Sequence, residues 1–109
     1  MATRKIGPAL AAGCPVVLKP ASDTPLTMLA LMPVLQEAGV PAGVVNVVPS
    51  RRSGPVVSAM LHDPRVRVVS FTGSTEVGRK LLHELVHHRT SLQCLSGRTS
   101  SIKSIHSRE

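Results

Sequence analysis

Phosphate chemistry is the first thing the residues of this chain offer. The stretch Phe71-Thr72-Gly73-Ser74-Thr75-Glu76-Val77-Gly78 lies between an apolar run, Val66 to Phe71, and a helix-like run, Arg79 to His88. A short β run feeding a glycine turn and a helix start brings unpaired backbone N–H groups and the positive end of a helix dipole up to an anion. The spacing is Gly-x-x-x-x-Gly, not the Gly-x-Gly-x-x-Gly of ordinary dinucleotide folds. An ordinary helix start capped by Ser74 or Thr75 carries the same signature, so the stretch alone leaves both readings open.

The elements that must position this stretch follow from the hydrophobic pattern. Residues 3–12 read as a helix, with Ile6, Leu10 and Ala11 at helical spacing and Gly13 as its stop. Cys14 to Leu18 is a continuous apolar run suited to a strand buried on both faces, ended by Lys19-Pro20. Thr24 as N-cap and Pro25 at the first helical position start a helix that runs to Ala38, contains Pro33 and closes at Gly39. Pro33 removes one backbone donor and is expected to kink that helix. Val44 to Val48 is a second buried-type strand. The polar loop Pro49 to Ser53, with Arg51 and Arg52, leads to a short helix, Gly54 to His62. Asp63-Pro64 breaks it, and Arg65 to Phe71 forms the third strand.

The alternation β-α-β-α-β-α predicts an α/β fold, a partial Rossmann-like parallel sheet in three layers. Ligands of such sheets bind at the carboxyl ends of the strands. Here those ends are Lys19-Pro20, the Pro49–Ser53 loop and Thr72–Ser74, three polar segments expected to converge on one edge.

Composition narrows the alternatives. The chain has 109 residues, room for one small domain at most, and its single aromatic residue is Phe71. The net charge of +7 invites a nucleic-acid partner, yet no Tyr or Trp is present to stack on bases. The charge is also uneven: residues 1–84 hold nine Lys/Arg against five Asp/Glu, and residues 85–109 hold four against one. Ser and Thr crowd that second stretch and its apolar residues lose periodicity, so 85–109 is expected to be a disordered basic tail. A small basic nucleic-acid-binding protein is the rival reading from another class.

Cys14 and Cys94 do not make a disulfide framework, which favours a reducing, cytoplasmic setting. The apolar run near the N-terminus is interrupted by Gly7 and Pro8 and is too short for a membrane span. His87, His88 and His106 with Cys94 fit no spacing of structural zinc sites, and no metal is expected. Glu76 falls in the first turn of a helix, where its charge favours the dipole; a structural role is expected for it.

Three blocks together carry a resemblance. They are Gly7-Pro8-Ala9-Leu10-Ala11-Ala12-Gly13-Cys14-Pro15-Val16-Val17-Leu18-Lys19-Pro20-Ala21-Ser22, then Glu37-Ala38-Gly39-Val40-Pro41-Ala42-Gly43-Val44-Val45-Asn46-Val47-Val48, then the stretch 71–78. In order and separation they resemble the NAD(P)-binding domain of the aldehyde dehydrogenase superfamily, most of all its succinate-semialdehyde dehydrogenase branch, over about residues 2–84.

The resemblance implies a nicotinamide dinucleotide, NADP or NAD, held by Lys19, Pro20, Ser22, Arg52, Gly73 and Ser74. Lys19 matches the lysine that binds the adenosine ribose hydroxyls. Ser22 falls where many members carry a glutamate that holds the ribose and repels a 2′-phosphate, so it implies that NADP is accepted. Arg51 and Arg52 could supply charge to that phosphate or to the pyrophosphate. Ser74 matches the position whose hydroxyl and backbone N–H meet the pyrophosphate. The parent family is homo-oligomeric and has no membrane partner.

The chemistry the resemblance implies is attack of a cysteine thiolate on an aldehyde, hydride transfer to the nicotinamide, and release of the acid by a water that a glutamate activates. The cysteine, the glutamate and the oxyanion asparagine have no matching residue here, and Cys94 lacks the spacing of the nucleophile. The pattern stops near Glu84 and the composition changes abruptly, as in a truncated or frameshifted gene. The expectation is a fragment of an aldehyde dehydrogenase that is inactive alone.

Overall fold

The computed structural model describes residues 1–86 in full and the backbone of residues 91–96. The chain divides into two compact units, Met1–Val56 and Val57–Glu109.

The first unit contains α1 (Thr3–Ala11), β1 (Val16–Leu18), α2 (Leu26–Glu37) and β2 (Val45–Val47). Both helices stop where a glycine allows a left-handed residue. At Gly13 (φ 72°) the N–H groups of Gly13 and Cys14 donate to the carbonyls of Leu10 and Ala9, at 2.9 Å each. At Gly39 (φ 89°) those of Gly39 and Val40 donate to Gln36 and Leu35, at 3.0 Å each. These are Schellman closures, which satisfy carbonyls that the helix itself leaves unpaired.

The start of α2 differs from expectation. Pro25, not Thr24, is the N-cap, and no side chain caps the helix; the Thr24 N–H instead closes a turn onto the Ala21 carbonyl at 3.3 Å. Proline has no N–H to satisfy and its φ is already helical, so it can stand just ahead of the first turn without a capping oxygen. From there α2 continues through Pro33 to Glu37.

β1 and β2 pair in parallel with Val16 opposite Val45 and Leu18 opposite Val47. Hydrogen bonds from Val16 N–H to Val44 O (2.8 Å) and from Val48 N–H to Leu18 O (2.9 Å) flank the ladder. Asn46 clips its entry, donating to the carbonyl of Gly43 at 2.8 Å and to that of Val16 at 3.3 Å. Ile6, Met28 and Val45 form the buried core, with Leu10, Val16, Leu31 and Leu35 packed around them. One face of each helix is thereby brought onto the inner face of the sheet.

The division between units falls within α3 (Ser53–Leu61). The second unit contains the rest of that helix, β3 (Val68–Gly73), α4 (Thr75–Leu85) and β4 (Ser91–Ser96). β3 and β4 are parallel, with Val68 opposite Ser91 and Gly73 opposite Ser96. Leu61, Leu81 and Leu85 are buried together, with Val57, Val69, Phe71 and Leu82 against them. The Ser58 hydroxyl donates to Glu84 Oε1 at 2.7 Å, a polar tie between α3 and α4. A tight Asp63 turn separates α3 from β3: Asp63 Oδ1 accepts from the Arg65 N–H at 2.9 Å, and the Val66 N–H returns to the Asp63 carbonyl at 3.0 Å.

The α/β class and the element order are as the sequence predicts, but the strands are distributed differently. The three expected strands do not form one sheet; β1–β2 and β3–β4 are separate two-stranded sheets. Each pairing joins strands linked by one helix, α2 or α4. The expected burial of strands on both faces also fails, since Val17 is 53% and Val68 61% exposed. A two-stranded ribbon with helices on one side leaves its other face uncovered. Within the segment 85–109, expected to be a disordered tail, the backbone of Ser91–Ser96 forms β4 and pairs along the whole of β3. Residues 87–90 and 97–109 lie outside the described residues.

Candidate functional site

In the first unit, the carboxyl end of β1 gathers a cluster of donors. Pro20 is buried and ends the strand, leaving Lys19 half-buried beside the turn that carries Ser22. Lys19 Nζ donates to Ser22 Oγ at 3.4 Å, and Ser22 Oγ donates to the Ser50 carbonyl at 3.1 Å. Ser53 Oγ, in the first turn of α3, lies 3.3 Å from Ser22 Oγ. The loop between them is stiffened by Ser50, whose hydroxyl accepts from the Arg52 N–H at 3.0 Å and donates to the Arg52 carbonyl at 3.1 Å. A hollow of about 280 Å³ opens beside this cluster, lined by Ala21, Ser22, Pro25, Pro49, Ser50 and Arg51. Its lining holds one guanidinium and no carboxylate, so its chemistry favours an anion.

In the second unit, the junction of β3 and α4 is shorter than a turn. Gly73 is the last residue of the strand, Ser74 the only connector, and Thr75 the first helical residue. Ser74 is extended (φ −69°, ψ 149°) and its hydroxyl accepts from the Val77 N–H at 3.4 Å, which makes it the N-cap of α4. The cap uses an acceptor lone pair and leaves the Ser74 O–H able to donate outward. Glu76 pairs with Lys80 at 2.9 Å, one turn along the exposed face of α4.

Gly73 has a reason other than a turn. Its φ is not left-handed, and a Cβ placed on it would lie 2.6 Å from Cζ of the Phe71 ring. The chain's only aromatic residue folds back over the strand end, and only a residue without a side chain leaves room for it. Thr72 Oγ1, beside it, is buried with no hydrogen-bond partner among the described residues.

The predicted site residues therefore fall in two groups. Lys19, Pro20 and Ser22 stand together in the first unit. Arg52 stands next to them, contributing its backbone to the Ser50 loop, while Arg51 lines the hollow. Gly73 and Ser74 form the strand–helix junction of the second unit. Ser50 and Ser53 complete the first cluster and were not singled out from sequence; the signal for Ser53 was a serine at the start of a helix, which alone reads as a cap. His87, His88 and His106 and the Cys94 side chain lie outside the described residues. Among the described residues no group of three His, Cys, Asp or Glu could hold a metal ion. No helix among them is long and apolar enough to cross a membrane.

Parallel β-α-β units with ammonium, hydroxyl and helix-terminus donors at strand carboxyl ends have the architecture α/β proteins use for nucleotide ligands. The chain belongs to the aldehyde dehydrogenase family, whose model matches residues 1–102 and so extends past Glu84. It is 57% identical over 84 residues to the NADP(+) succinate-semialdehyde dehydrogenase GabD of Escherichia coli (strain K12), an alignment covering 77% of this chain and 17% of that enzyme. Among solved structures, an E. coli NADP-dependent enzyme superposes with a TM-score of 0.83 at 50% identity, over 87% of this chain and 20% of that one. Betaine aldehyde dehydrogenase from Staphylococcus aureus in complex with NAD+ superposes with a TM-score of 0.80 at 35% identity, over 88% of this chain and 19% of that one. The chain thus spans about a fifth or less of the length of these relatives.

Proposed function

We propose that this chain is the part of an NAD(P)-dependent aldehyde dehydrogenase that holds the dinucleotide, in an enzyme oxidising a short semialdehyde such as succinate semialdehyde to the acid. Lys19, Pro20, Ser22 and Arg52 serve the adenosine end, and Gly73 and Ser74 the pyrophosphate. The observation that carries the reading is the Lys19–Ser22 pair, with Nζ 3.4 Å from Oγ, at the carboxyl end of β1 beside a hollow lined by Arg51 and free of carboxylate lining. An ammonium, a guanidinium and hydroxyl groups suit a phosphate-bearing ribose, and the absence of a carboxylate removes the group that would repel a 2′-phosphate. NADP is therefore the preferred cofactor.

When bound, the nicotinamide accepts the hydride that leaves the substrate. The contribution of these residues is binding and orientation. Lys19 keeps two N–H donors beyond the one it gives Ser22. Ser74 presents its hydroxyl proton and the first N–H groups of α4. The nucleophilic cysteine, general-base glutamate and oxyanion asparagine of the family have no counterpart among residues 1–86, so the purified chain is expected not to oxidise aldehydes.

Calorimetric or NMR titration with NADP and NAD tests this. Weak NADP binding should fall about tenfold or more in Ser22→Glu, through charge repulsion. In Ser74→Asp both cofactors should be lost. Unchanged affinities in both variants would remove the site assignment, and aldehyde oxidation by the purified chain would remove the claim of inactivity.

A further inference from the structure

We propose that Ser53 is a specificity-determining residue for the 2′ substituent of the cofactor, acting as a positioning residue through Ser22 and Lys19. The inference rests on the cofactor reading above and adds to it a residue that contacts no ligand directly.

The argument is a count of protons and lone pairs at Ser22. A hydroxyl has one proton to give and two lone pairs to receive. The Ser50 carbonyl can only accept, so its 3.1 Å contact with Ser22 Oγ uses the Ser22 proton. An ammonium can only donate, so the 3.4 Å contact from Lys19 Nζ uses one lone pair. In the 3.3 Å contact between Ser22 and Ser53, either hydroxyl has the geometry to donate. Because the Ser22 proton is already placed, Ser53 is the donor. Ser22 is then fully subscribed: one bond given and two received.

Two consequences follow. Ser22 has no proton left for a phosphate unless it breaks its bond to Ser50, so its part, as a residue lining the hollow, is to hold the Lys19 ammonium beside it, with two N–H donors still available. Ser53, donating into the second lone pair of Ser22, helps hold Ser22 Oγ in place beside Lys19. If Ser53 stops donating, Ser22 Oγ keeps only its Ser50 and Lys19 contacts and is held less firmly as the partner of the Lys19 ammonium. A 2′-phosphate depends on that ammonium as a charge, and a 2′-hydroxyl depends on it as one hydrogen-bond donor. Loss of Ser53 should therefore weaken NADP more than NAD. A carboxylate at position 53 would stand beside Ser22, draw the ammonium to itself and repel a phosphate, reproducing from the first turn of α3 the effect of a glutamate at position 22.

The experiment is titration of the full 109-residue chain and its Ser53→Ala, Ser53→Thr and Ser53→Asp variants with NADP and with NAD, each variant first checked for an unchanged circular-dichroism spectrum. Ser53→Ala is expected to lower the NADP-to-NAD affinity ratio about threefold to tenfold, the effect of one hydrogen bond. Ser53→Thr, which keeps the hydroxyl, should restore the ratio, and Ser53→Asp should lower it at least tenfold, roughly the scale of one unscreened charge contact. A ratio unchanged in Ser53→Ala and Ser53→Asp, or equal losses of both cofactors, overturns the role of Ser53 while leaving the cofactor reading in place. Failure of the unmodified chain to bind either cofactor overturns the cofactor reading and the role of Ser53 with it.

Discussion

Single side chains carry the most specific consequences of this structure. Ser22 read from sequence was a serine in place of a carboxylate, able to donate to a phosphate. Its contacts also make it a hub, with Oγ donating to the Ser50 carbonyl and lying within hydrogen-bond reach of Lys19 Nζ and Ser53 Oγ. Asp63 shows a different use of a polar residue. Its carboxylate accepts from the Arg65 side chain at 2.9 Å (Nε) and 2.6 Å (Nη2), and from the Arg65 backbone N–H. The side-chain hydrogen bonds come first among the causes that lower its pKa from 3.8 to about 2. A group whose pKa is lower in the folded chain adds stability while ionised. The contribution is fully present above the ordinary carboxylate value and disappears as the pH falls toward about 2. Carboxyl carbon NMR across that range should show Asp63 titrating well below the ordinary carboxylate range, and Arg65→Ala should return it to that range. An Asp63 midpoint unaffected by Arg65→Ala would refute the pairing as the cause.

Among the elements, the β3–α4 junction was read from sequence as a glycine turn and is a one-residue connection, Ser74. The position of Ser74 as N-cap was one of the two readings the sequence left open, and the structure has it capping α4 while its O–H still points to other uses. The role of Gly73 was not legible, because it depends on the Phe71 ring, and no pattern in the chain specifies where that ring lies. Gly73→Ala forces the ring out of a space where a Cβ would stand 2.6 Å away. It should destabilise the chain by about 1–3 kcal/mol, the usual cost of overpacking, measurable by urea unfolding. Phe71→Leu combined with Gly73→Ala should recover part of that loss. An alanine variant as stable as the parent would show that the ring moves aside freely. The glycine stops at Gly13 and Gly39, in contrast, were legible, since a left-handed residue after a helix is a local demand.

At the scale of the whole molecule, apolar surface remains exposed, both on the strands, where burial was expected, and on α2. Val17 and Val68 on the strands, and Leu26 (76% exposed) and Val34 (56% exposed) on α2, are open to solvent. Each described sheet has only two strands, so each strand has an unpaired edge. Open edges beside exposed apolar side chains favour association with further chain. Sedimentation velocity should show species heavier than the monomer growing as concentration rises, and a single monomer boundary at all concentrations would contradict this. The sequence by itself determined the order of helices and strands, the helix stops and the three blocks shared with aldehyde dehydrogenases. Those features are written in backbone dihedral preference, hydrophobic period and short-range hydrogen bonds, all of which act within a few residues. Only the tertiary structure decided which strands pair, which faces stay uncovered and where the Ser22 proton goes. Those outcomes depend on groups far apart in the chain, such as Ser22 and Ser53, whose meeting is set by packing and not by local pattern.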